Sequence, residues 1–116
     1  KAESGQFAGL RPRYRRTTTS IELSKYDHTI ECIRTDGGQI NLTLPANPEV
    51  GQCYEIWKWG TCAISIKGNG KDIIRIGISN TENQGIGTKW VGIIKLVYRG
   101  NETNVNNWLM TLHRTE

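Results

Sequence analysis

The sequence predicts an all-β fold, an antiparallel β-sandwich of about eight strands in jelly-roll-like order, on the strength of three observations. Isoleucine and threonine are abundant and alanine is scarce, a bias toward pleated, half-buried strands. Thirteen glycines punctuate the chain, many at turn positions. Apolar residues alternate with polar ones in short runs, and none sustains a helical period over the roughly 10–12 residues a helix needs. At 116 residues there is room for one core.

The domain is expected to span 17–116, because residues 1–16 contain Gly5, Gly9 and Pro12 without apolar periodicity and read as a basic extended arm or linker. That arm carries Lys1, Arg11, Arg13, Arg15 and Arg16 against Glu3, which accounts for the whole net charge of +4. It suits an acidic neighbouring subunit, a phosphate backbone or plain solvent. The remaining residues balance their charges, so nucleic acid is not an expected partner. No apolar run approaches the roughly 18 residues of a membrane span. No charged-then-apolar leader opens the chain, and its first residues read as the start of a fragment.

Each strand follows from its alternation. Segment 18–24 puts Ile21 and Leu23 on one face, and 29–34 sets Ile30 and Cys32 against Ile33. Asp36-Gly37-Gly38 carries a hairpin signal. Segment 40–44 alternates and stops at Pro45, which cannot donate to a ladder. Segments 53–58 and 62–67 are expected to form a hairpin at Trp59-Gly60. Gly68-Asn69-Gly70 turns into 72–78, whose isoleucines suggest a central strand. Segment 90–99 opposes Ile94, Leu96 and Tyr98 to Val91, Ile93 and Val97, and 108–114 is the last strand. Stretches 79–89 and 100–107 read as polar loops. No fixed spacing recurs, so a solenoid is not indicated.

Three cysteines, Cys32, Cys53 and Cys62, cannot all pair. On the expected hairpin Cys53 lies opposite the region of Ser65, too far from Cys62 for a disulfide. No Cys-x-x-Cys pair occurs, and His28 and His113 lack ligand-like spacing to the thiols. Buried free thiols from a reducing cytosol are expected, with no metal and no cofactor.

An ordered set of motifs carries a family resemblance. Ser20-Ile21-Glu22-Leu23 and Asp27-His28-Thr29-Ile30 come first, then Gly38-Gln39-Ile40-Asn41-Leu42-Thr43-Leu44-Pro45. Gly51-Gln52-Cys53-Tyr54-Glu55-Ile56, Ile64-Ser65-Ile66, Gly68-Asn69-Gly70-Lys71-Asp72-Ile73 and a late Trp108 follow. This succession resembles the β-domains near the ends of bacteriophage tail fibres and tailspikes, covering about half the chain well. The resemblance implies a virion protein made in the host cytoplasm and acting as a homotrimer. It further implies binding of a bacterial surface polysaccharide, or a locking role in the trimer, with residues 1–16 leading in from the rest of the fibre. It brings no catalytic residues.

Candidate ligand residues fall into two groups. Trp57 and Trp59 share a face with Glu55, which suits a sugar platform or, equally, a core or intersubunit contact. Asn83, Gln84, Asn104 and Asn106 lie in the polar loops, with Trp90 and Trp108 following them, as a glycan surface or as solvated turns. An enzyme is not expected, because no nucleophile–base motif or phosphate loop occurs. Two other readings remain open: a monomeric carbohydrate-binding module attached to an enzyme, and a phage head-fibre or decoration protein docked through 1–16.

Overall fold

The computed structural model describes residues 13–70, 72–77, 79–102 and 105–115. Among them every regular element is a strand, and none is a helix able to cross a membrane. The first six strands are β1 (Tyr14–Thr17), β2 (Ile21–Glu22), β3 (Thr29–Arg34), β4 (Gln39–Thr43), β5 (Cys53–Gly60) and β6 (Ala63–Lys67). Then come β7 (Ile73–Ile76), β8 (Ser79–Thr81), β9 (Asn83–Ile86), β10 (Gly92–Glu102) and β11 (Val105–Arg114). The larger sheet has the order β1-β3-β5-β10-β11-β7-β8, the smaller β2-β4-β6-β9.

The first half of the chain winds between the sheets. Strands β1, β3 and β5 lie parallel in the larger sheet, and β2, β4 and β6 lie parallel in the smaller. Each circuit therefore lays a strand beside the one before it. Arg15, Ile30 and Ile56 stack in register on one side; Ile21, Leu42 and Ile66 do so on the other. Antiparallel strands close the winding, with β10 on β5, β11 on β10 and β9 on β6. Strand β7 runs parallel to β11, and β8 forms the edge beyond it.

All-β is the fold class, but the expected antiparallel, jelly-roll-like order of about eight strands is not what forms. The described residues make eleven strands in two mixed sheets. The difference lies in the turns. Asp36-Gly37 and Trp59-Gly60 do not return a strand to its own sheet; each is a corner carrying the chain across the core. Gly37 and Gly60 have φ of 76° and 81°, a reversal that serves a corner as well as a hairpin. A Cβ on Gly60 would meet the Arg34 carbonyl oxygen at 2.7 Å, so two circuits touch there. The circuits differ in length, which is why no repeat is visible.

Edge strands were the other blind spot. Stretch 79–89 holds β8 and β9, and residues 100–102 and 105–107 carry on the β10–β11 pairing, bulged between Tyr98 and Gly100. Polar residues suit edges, which must avoid stray pairing, so such strands look like loops. The expected strand 18–24 shrinks to Ile21–Glu22, while Tyr14–Arg16, assigned to the arm, pair in β1. Residues 1–12 lie outside the described residues. Strand β7 is next to the edge rather than central, and only Ile74 of its four residues is fully buried.

The core lies between the sheets. Ile30 and Cys32, Tyr54 and Ile56, Ile94, Leu96 and Tyr98, and Trp108 enter from the larger sheet. Ile40 and Leu42, Ile64 and Ile66, and Ile86 meet them from the smaller. Cys32 and Cys62 are free and buried as expected, whereas Cys53 is free and exposed. It heads β5 opposite Val97, and alternation that sends Tyr54 and Ile56 inward turns Cys53 outward.

Candidate functional site

The outer face of the larger sheet gathers the aromatic candidates. Alternation along β5 sends Tyr54, Ile56 and Lys58 inward, which leaves Glu55, Trp57 and Trp59 outward. Neither tryptophan is core; both are half-buried on the outside of the sheet. Their rings meet edge to face, with centroids 6.1 Å apart and planes at 85°. Trp57 Nε1 donates to Glu55 Oε1 at 3.0 Å, and Lys95 Nζ stands 4.0 Å from the other Glu55 oxygen.

Register extends this group across the sheet. Ile33 sits beside Trp59, while Glu31 and Ile93 flank Trp57. Ile33, Trp57, Trp59 and Ile93 thus form one apolar patch. Beyond the Glu55–Lys95 row come Val97 and Leu109, 41% and 39% exposed. On the other side Glu31 accepts from Tyr14 and from Arg16 Nε, the latter at 3.4 Å. The Tyr14 hydrogen bond, then Arg16, holds the Glu31 carboxyl below its usual range, and the same bond raises the Tyr14 hydroxyl. The patch is apolar at its centre with satisfied charges around it.

The other candidates scatter. Trp108 is fully buried, stacked 5.7 Å from Tyr54 and tilted against Tyr98 at 5.3 Å, so it is core and touches no outside ligand. Trp90 packs half-buried against the core, away from the aromatic patch. Its carbonyl accepts from Lys58 Nζ at 2.5 Å, and the Thr88 carbonyl accepts from the same amine at 3.2 Å. Burial lowers the Lys58 amine, and the thiols of Cys62 and Cys32 pull it back up. Burial also pushes the Cys32 thiol up to about 12.

Asn83 stands exposed on β9, in the smaller sheet, hydrogen-bonded to Ser65. Gln84 is half-buried beside it and donates to the Gly85 carbonyl. Asn104 lies outside the described residues; Asn106 pairs with Asn101 through the backbone, and its side chain lies outside them too. Among the candidates whose side chains are described, Glu55, Trp57 and Trp59 come together on one face. Sequence reasoning missed Ile33, Ile93 and Lys95 as their neighbours, although alternation had already set Ile33 opposite Ile30 and Cys32, and Ile93 opposite Ile94 and Leu96.

Glu31 and Glu55 on this face are bonded to neighbouring side chains, His113 in register with Ile93 lies 3.3 Å from the Thr111 hydroxyl through Nε2, and no cluster of three metal-ligating side chains occurs among the described residues. Comparison with protein-family models, with curated proteins and with solved structures finds no match for this chain.

Proposed function

We propose that this chain is a non-catalytic terminal β-domain of a phage tail fibre or tailspike, part of the virion, that locks a homotrimer through the outer face of its larger sheet. The observation that supports a subunit contact is the apolar patch Ile33, Trp57, Trp59 and Ile93, half-buried already and ringed by Glu31, Glu55 and Lys95. Interfaces have this anatomy, an aromatic centre inside a polar rim. The trimer and the phage setting come from the motif resemblance.

A sugar platform is the weaker reading of the same face. Stacking along a saccharide favours rings lying flat and side by side, and these rings stand at 85° to each other. The nearest acceptor, Glu55, is occupied by Trp57 and Lys95. In a threefold ring each chain presents a different patch to each neighbour, so this face would meet a second surface of the next copy.

Light scattering on the full chain tests the reading. The expected mass is three times that of one chain, and Trp59→Asp should yield folded monomers. A wild-type monomer at high concentration would refute it. So would a trimer indifferent to Trp59→Asp and Ile93→Asp.

A further inference from the structure

The face that carries the tryptophans also holds a second apolar strip. It lies four residues along β5 and β10 from Trp57 and Ile93, about 13 Å away at the rise of a strand. There register sets Cys53, Val97 and Leu109 side by side, all exposed. Arg75 comes next, beside Leu109 on β7, and is turned outward because Ile74 is the buried residue of that strand. Arg99 is exposed two residues past Val97.

Two groups on this face have complementary unmet needs. Arg75 Nε is buried and finds no acceptor among the described residues, and none of the ion pairs among them uses its guanidinium. A buried donor left so is unfavourable until something supplies an oxygen. Glu31, at the rim of the tryptophan patch, has the opposite need. Tyr14 and Arg16 both donate to its Oε1, and no described donor reaches Oε2. The spacing matches as well. Glu31 stands one strand from Trp57, and Arg75 one strand from Leu109. Setting Leu109 over Trp57 therefore brings Arg75 to Glu31. Within one chain the two cannot meet, because β3 and β7 lie four strands apart in the sheet, roughly 19 Å.

Building on the homotrimer proposed above, we infer that the tryptophan patch of one copy is received by the Val97–Leu109–Arg75 strip of the next. Val97 and Leu109 cover Ile93 and Trp57, and Arg75 donates to Glu31 Oε2 across the contact. Charge sets the pairing. Two tryptophan patches in a twofold contact would bring acidic rims together, Glu31 and Glu55 on each side, and two strips would bring Arg75 toward Arg75. Unlike patches attract instead, which is the head-to-tail contact that a closed ring requires. Copies around a threefold axis meet at an angle, and the long side chains of Trp57, Trp59 and Arg75 are suited to span it.

The test follows the mass of the full chain by light scattering through a dilution series. Leu109→Asp should give monomers with an unchanged circular dichroism spectrum, and Arg75→Glu should raise the concentration at which the trimer falls apart tenfold or more. A chain carrying Ile93→Cys and Val97→Cys, with Cys53→Ser, covers any folding failure of those variants. On oxidation it should close into a disulfide-linked ring of three, while either new cysteine alone should stay uncoupled. Coupling through a single new cysteine would mean that like patches meet, and it overturns the inference. So does failure of the pair to couple, or a trimer unaffected by Leu109→Asp and Arg75→Glu. A wild-type trimer giving these results overturns this contact alone, whereas a wild-type monomer removes the trimer reading with it.

Discussion

Replacing Trp108 discriminates between a core residue and a loop-anchored ligand residue, and the size of the effect follows from its surroundings. The ring is fully buried and packed against the rings of Tyr54 and Tyr98. Trp108→Ala should cost ~3–5 kcal/mol for the lost side chain and its cavity, with aromatic pairing worth ~0.5–1.5 kcal/mol per partner beyond area. An opposing contribution is present, because the buried Nε1 finds no acceptor among the described residues, and an unpaired donor costs ~1–3 kcal/mol. Trp108→Phe removes that donor and keeps most of the apolar ring. It should therefore cost less than half of what alanine does. Urea unfolding followed by far-ultraviolet circular dichroism measures both, and a domain of this kind has only ~5–15 kcal/mol to lose. An alanine variant within about 1 kcal/mol of wild type would refute the core assignment, and a phenylalanine variant as damaged as alanine would refute the unpaired-donor argument.

Three further outcomes are expected. Burial lowers the Lys58 amine, so the cost of holding it charged applies at low pH and is relieved as pH rises toward its usual 10.5; the stability difference between wild type and Lys58→Met should grow in favour of wild type with rising pH, and a flat difference would refute the burial effect. Cys32 is protonated up to about 12 in the fold against 9.0 when free; its stabilisation is intact below pH 9.0 and fades above it, at up to ~1.4 kcal/mol per pH unit, and Cys32→Ala should lack that alkaline loss in the same urea titration. Gly60→Ala places a Cβ 2.7 Å from a backbone oxygen at φ 81°, so it should destabilise by ~2 kcal/mol or more, whereas Gly85→Ala should leave the unfolding midpoint unchanged or higher.

The strands whose apolar residues alternate were legible, and so was the division of each into two faces. Ile30 with Cys32, Ile64 with Ile66, and Ile94 with Leu96 and Tyr98 all face the core as the pattern implies. Direction was not legible, because a half-buried strand alternates with a period of two whether its neighbour runs with it or against it. Turn chemistry did not help: Gly37 and Gly60 are needed at a corner for the same φ that a hairpin would need. The aromatic group on β5 was visible because its members lie two apart. Its neighbours Ile33 and Ile93 were not, since they come from β3 and β10 and only the pairing of those strands with β5 brings them beside Trp59 and Trp57.

That winding bears on how the domain can be shortened. Strand β5, third of seven in the larger sheet, takes its neighbour on one side from β10, and β7 is held beside β11. A chain cut before Gly92 would keep three stacked circuits but bare the long flank of β5 and strand β7 and β8 without a host. Such a fragment offers an open template to any passing strand. Nicking the domain there should give aggregates in place of a smaller folded unit.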